Sequence, residues 1–91
     1  MNSIYFEKKK AKILNLYKEK KFEDVIKHGE KLLKKNNDPQ LLFLISLSFI
    51  NLQKFEKAEE YLYNLISFKK TPELYYTYGN VQKKLKKYHD A

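Results

Sequence analysis

Lys54-Phe55-Glu56-Lys57-Ala58 stands 33 residues after Lys21-Phe22-Glu23-Asp24-Val25, and Lys87-Tyr88-His89-Asp90-Ala91 follows at the same interval. Three aromatic-x-x-(Val/Ala) segments at one period decide how the chain is read. Other positions keep step at the same shift: Leu32-Leu33 with Leu65-Ile66, Pro39 with Pro72, Leu41 with Leu74 and Phe43 with Tyr76. A fixed period of this length is the signature of a repeat architecture.

Within each unit the apolar residues recur at helical spacing. Ile13, Leu14, Leu16 and Tyr17 form one stripe, and Phe22, Val25, Ile26, Leu32 and Leu33 the next. Leu41 to Leu52 is almost continuously apolar. Phe55, Ala58, Tyr61, Leu62, Leu65 and Ile66 form a fourth stripe, and Leu74, Tyr75, Tyr78, Val81 and Leu85 a fifth. Recurrence at i, i+3, i+4 and i+7 is the mark of an amphipathic helix. Asp38-Pro39 and Thr71-Pro72 each place a capping residue before a proline at the first helical position. Lys20-Lys21 and Gln53-Lys54 read as short turns. The pattern predicts helices near 3–19, 22–36, 40–52, 55–69 and 73–85.

Composition agrees. The chain has 91 residues, 43% hydrophobic and 33% charged, with two Gly and two Pro. So few turn formers suit helices on short connections better than an all-β fold. A domain of this length buries only about 60–65% of its unfolded surface, so its stability is marginal. With no Cys, disulfides and thiolate metal sites are excluded. The N-terminus does not read as a signal peptide. The apolar run from Leu41 to Leu52, broken by Ser46, Ser48 and Asn51, is too short to span a bilayer. A cytoplasmic location is the expectation.

The net charge of +8 is carried by Lys without any Arg. Arg supplies the bidentate contacts that dominate phosphate and guanine recognition. An all-Lys surface attracts polyanions non-specifically, and it is also what a Lys- and Asn-rich coding bias leaves behind. No Gly-rich phosphate loop, Ser/His/Asp constellation or paired-carboxylate motif is present, so an enzyme is not expected. His28 and His89 have no ligand-spaced companions and read as solvated helix residues. Glu56, Glu59 and Glu60 read as surface charge that favours a helix N-terminus; a metal or basic-peptide site is the sharper alternative. No cofactor is expected.

The period, turns and residue types resemble the tetratricopeptide repeat (TPR) family, whose helix–turn–helix unit follows W-x2-L-G-x2-Y…A-x3-F…P. In the middle unit Leu42 takes the Trp site, Ile45 the Leu site, Ser46 the small site and Phe49 the Tyr site. Ala58 and Leu62 take the Ala and Phe sites, and Pro72 the closing Pro, displaced by two residues. In the third unit Tyr75, Tyr78, Gly79, Tyr88 and Ala91 match, while Gln82 departs from the pattern. The first unit is degenerate: Ile13 replaces the small residue, Val25 the Ala and Gly29 the large apolar residue, with Lys9 and Lys12 at apolar sites. Small residues such as Ser46 and Ala58 let helix axes approach. The helices carrying Ile13 and Val25 are therefore expected to lie further apart, and a degenerate first unit suits an N-terminal cap.

The resemblance implies an all-α, right-handed α-solenoid of antiparallel helix pairs forming one domain. Repeat 1 would span about 6–38, repeat 2 about 39–71 and a partial repeat 3 about 72–91. Tyr88 to Ala91 would open a further helix, as in a piece of a longer array. The resemblance also implies a non-enzymatic scaffold whose first helix of each pair lines a concave, partner-binding face. That face would carry Glu7, Lys10, Leu14, Tyr17 and Lys18, then Gln40, Phe43, Leu47, Ile50 and Asn51, then Glu73, Tyr76, Asn80, Lys83 and Lys84. Phe43, Leu47 and Ile50 are apolar in addition to the core stripe Leu42, Ile45, Phe49 and Leu52. They are either covered by neighbouring helices or form a peptide- or helix-binding groove; self-association through them is also open.

Some TPR domains grip chaperone C-terminal tails by a carboxylate clamp. The matching positions here are Lys10, Leu14, Leu44 and Thr77, with Glu73 where a Lys would stand. That clamp is not expected. The alternative classes are a polyanion-binding module, drawn from Lys8-Lys9-Lys10, Lys34-Lys35, Lys69-Lys70, Lys83-Lys84 and Lys86-Lys87 with eight Tyr, and an appendage of an enzyme. Nucleic acid is disfavoured by the missing Arg and by the core positions of most Tyr.

Overall fold

The computed structural model describes residues 3–90, with side chains for 4–87. The described residues form five helices and no strand: α1 (Ser3–Lys18), α2 (Phe22–Leu33), α3 (Pro39–Asn51), α4 (Phe55–Phe68) and α5 (Pro72–Asp90). Four agree with the sequence pattern to within three residues at each end. The fifth is longer than expected. Residues 85–87, one period after the turn that ends α3, stay helical, and α5 runs on to Asp90 without the break that a new helix at Tyr88 requires. Tyr88 and His89 lie outside the described side chains and Ala91 outside the described residues, so their pattern matches gain no structural counterpart.

The local geometry repeats with the sequence. α1 ends with Lys20 in the left-handed region (φ 63°) and α3 with Gln53 at φ 60°. In the first turn the Lys21 N–H donates to the Leu16 carbonyl and the Lys20 N–H to the Tyr17 carbonyl. In the second, Lys54 donates to Phe49 and Gln53 to Ile50. Each is a Schellman arrangement that satisfies the last carbonyls of the preceding helix. The other junction type recurs too. The Asp38 carboxylate accepts the Leu41 N–H at 3.0 Å, and the Thr71 hydroxyl accepts the Leu74 N–H at 3.3 Å. Pro39 and Pro72 follow these caps as the first residues of α3 and α5.

A non-glycine residue in the left-handed region costs about 1–2 kcal/mol. The cost is offset where the returning helix buries Val25 and half-buries Phe22, or buries Phe55 with Ala58. Beyond α5 no returning helix lies among the described residues, and the left-handed turn is not formed. Lys20→Gly and Gln53→Gly are each expected to stabilise the chain by about 0.5–1 kcal/mol, read from the urea midpoint.

Each helix packs chiefly on the next in sequence, and α1 also reaches α3. The molecule is elongated, 46 × 27 × 19 Å. Its core runs through all five helices, from Phe6 and Ile13 through Val25, Leu41, Leu42, Ile45, Ala58, Leu62 and Leu65 to Leu74 and Val81. Ser46 is fully buried, and its hydroxyl donates to the Leu42 carbonyl one turn back, so it fills a small site without an unpaired polar atom. α3 and α4 pack more extensively than α1 and α2.

Candidate functional site

The apolar surplus of α3 is neither swallowed by the core nor left bare. Leu41, Leu42, Ile45, Ser46, Ser48 and Phe49 are buried on one side, while Phe43, Leu44, Leu47 and Ile50 are half-buried on the other. Phe43, Leu44 and Ile50 lean on the core, with their outer edges open. Between α1 and α3 lies a cleft of about 340 Å³, walled by Ala11, Leu14, Phe43 and Leu44 and ended by Glu7, Lys10 and Gln40. Leu14, 40% exposed, and Phe43 supply the apolar surface that an incoming side chain would meet.

Lys10 belongs to the fold as much as to the cleft. Its Nζ lies 2.8 Å from Gln40 Oε1, 3.3 Å from Asp38 Oδ2 and 3.6 Å from Glu7 Oε1, and its side chain is only 15% exposed. It ties α1 to the capping residue of α3 and holds one end of the cleft in place.

The remaining expected site residues are distributed along the same helices. Tyr17 is half-buried, its ring edge-on to Phe22 at 5.5 Å, and Lys18 is exposed. The Asn51 amide donates to the Leu47 carbonyl, so its side chain is engaged with its own helix. On α5, Tyr76 is 73% exposed, and Asn80, Lys83 and Lys84 are exposed. The cleft joins Lys10, Leu14 and Phe43; the α5 residues do not line it. The Thr77 hydroxyl donates to the Glu73 carbonyl. His28 is exposed, and the described residues contain no group of three His, Asp or Glu able to hold a metal ion. No described helix is long and apolar enough to cross a membrane.

Ala11, which the repeat pattern does not mark, also lines the cleft. Tyr61 was read as core and does more. Its hydroxyl donates to the Glu30 carboxylate, joining α4 to α2, and its ring lies 5.6 Å from that of Phe49. Burial first, then the hydrogen bond to Glu30 and the charges of Glu30 and Glu60, push the phenol well above its ordinary pKa of 10.0. Because the folded pKa is raised, the contribution of Tyr61 is full below the unfolded value and is lost as pH rises beyond it. Between about pH 8 and about pH 11 the melting temperature of the wild type should fall more steeply than that of Tyr61→Phe. Parallel curves would show that Tyr61 does not couple folding to pH.

Comparisons with protein-family models, with curated proteins and with solved structures give no match to this chain.

Proposed function

We propose that this chain is a TPR-like, non-catalytic interaction module that binds a peptide or helix of a partner protein over α1, α3 and α5. The observation that carries this reading is the α1–α3 cleft, whose walls Leu14 and Phe43 lie at the positions that the repeat pattern assigns to a partner-binding face. The 33-residue recurrence of both junction types supports a repeat built from helix pairs, stacked as a right-handed solenoid. Tyr76, one period beyond Phe43, is largely exposed and offers a further aromatic surface on α5. A cytoplasmic scaffold is the setting that fits these features. Lys10 is held by Asp38 and Gln40, and Leu14, Leu44 and Thr77 offer no further cation, so the module does not use a carboxylate clamp.

Panning a random peptide library on the protein is expected to return peptides with an apolar anchor. Leu14→Lys should weaken them about tenfold or more, the scale set by losing one buried aliphatic contact. Its circular dichroism should stay that of the wild type, because Leu14 is already exposed. Peptides indifferent to both Leu14→Lys and Phe43→Ser would overturn the assignment of the cleft, and tight binding of a chaperone-tail peptide would overturn the exclusion of the clamp.

A further inference from the structure

A second groove lies between α1 and α2, with a volume of about 580 Å³. Its floor is apolar: half-buried Leu16 of α1 is the open part, between the outer edges of the core residues Ile13 of α1 and Leu32 of α2. Ile13 and Leu16 are one helical turn apart, so the floor is a strip along the helices, the form a packed helix fits. Its rim is basic. Lys9 and Lys12 stand on one side and Lys31 and Lys35 on the other, against the single carboxylate of Glu19.

That carboxylate is already engaged, 3.5 Å from Lys21 Nζ. Among the described residues none of the four rim lysines has an ion-pair partner. Lys9 and Lys35 instead lie over the Tyr5 ring, at 5.4 and 6.0 Å from its centroid. An apolar strip between two rows of unpaired cations is complementary to a helix with an apolar stripe flanked by acidic residues.

We infer that the α1–α2 groove is a docking site for an acidic amphipathic helix of a partner protein, separate from the α1–α3 cleft. A second copy of this chain is disfavoured because it carries a net charge of +8 and would bring like charge to a basic rim. Nucleic acid satisfies the rim and leaves the floor unused, and the rim holds no arginine.

The test uses three synthetic helical peptides and an oligouridylate, each fluorescently labelled and titrated with the whole chain. The first peptide carries Leu at i, i+3, i+4 and i+7 between flanking Glu, the second replaces Glu by Lys, and the third replaces Leu by Ser. The first should bind, and the other two should bind at least about tenfold more weakly, since both rim and floor are required. Lys12→Glu with Lys31→Glu, two exposed positions, should weaken the first peptide at least about tenfold. Leu14→Lys, in the other cleft, should leave it unchanged. Amide shifts on binding should centre on Ile13, Leu16 and Leu32. Equal binding of the Ser peptide or the oligouridylate would overturn the proposal in favour of a simple polyanion surface. Insensitivity to the double reversal, or a groove closed by dimers in sedimentation, would overturn it as well.

Discussion

Gly29→Leu is expected to destabilise the chain by more than about 3 kcal/mol, out of a total of roughly 5–14 kcal/mol for a domain of this length. A Cβ at Gly29 would lie 2.8 Å from Ile45 Cγ1 and 2.9 Å from its Cδ1, with Leu41 Cδ1 at 3.6 Å. Ile45 is fully buried and β-branched, so it has neither space nor rotamer freedom to withdraw. For Gly29→Ala two effects oppose each other. Alanine gains about 1 kcal/mol of helix propensity and loses about 1–3 kcal/mol to overpacking, so a net loss of about 1 kcal/mol is expected. Gly79→Ala isolates the first effect, because a Cβ there meets nothing within 4 Å. That variant should be more stable by about 0.5–1 kcal/mol. Urea unfolding followed by circular dichroism measures all three. Ile45→Ala should rescue Gly29→Leu, with a coupling of at least about 1 kcal/mol in the double-mutant cycle. Additive energies would mean that the two residues do not compete for one space.

Gly29 also shows where sequence reading stops. The helices, both turn types and most of the core were legible, because they follow from spacing and from local cap chemistry within a few residues. At position 29 the repeat pattern asks for a large apolar side chain, and Gly looks like decay. The volume is supplied from the next unit instead, by Ile45. Compensation of this kind crosses between helices and leaves no trace in either helix's own periodicity. α5 also continues through 86–90, where Lys86 and Lys87 favour helix as readily as turn, so the local sequence does not decide that boundary. Of the candidate site, Leu14 and Phe43 were legible from the repeat register. The fixed position of Lys10 was not, because its partners Asp38 and Gln40 are distant in sequence.

Asp38→Ala should cost about 2–3 kcal/mol. Asp38 caps α3 through the Leu41 N–H and pairs with Lys10, and its side chain is 18% exposed in that pair. Removing the cap costs about 1 kcal/mol. The remainder comes from Lys10, whose largely sheltered ammonium would keep only the neutral Gln40 amide and a more exposed Glu7. A hydrogen bond to a charged group is worth about 1.5–3 kcal/mol, reduced here by the solvent that still reaches the pair. Asp38→Asn separates the contributions: it keeps an oxygen for the cap and removes the charge, so about 1 kcal/mol should be lost. Lys10→Met removes the same charge pair from the other side, and with it the ammonium's place 5.9 Å over the Phe6 ring and its bond to Gln40, so it should cost at least as much as Asp38→Asn. The exposed Lys21–Glu19 pair, each side chain 58% exposed, is the control; Glu19→Gln should change stability by less than about 0.5 kcal/mol. Added salt should erase any effect of Glu19→Gln and leave most of that of Asp38→Asn, because the Lys10 pair is shielded from counterions. Equal losses for Asp38→Ala and Asp38→Asn would assign the whole effect to charge and none to the cap. An Asp38→Asn variant as stable as the wild type would show that Lys10 is not held by Asp38, and would return its ammonium to the cleft as a group free to meet a partner.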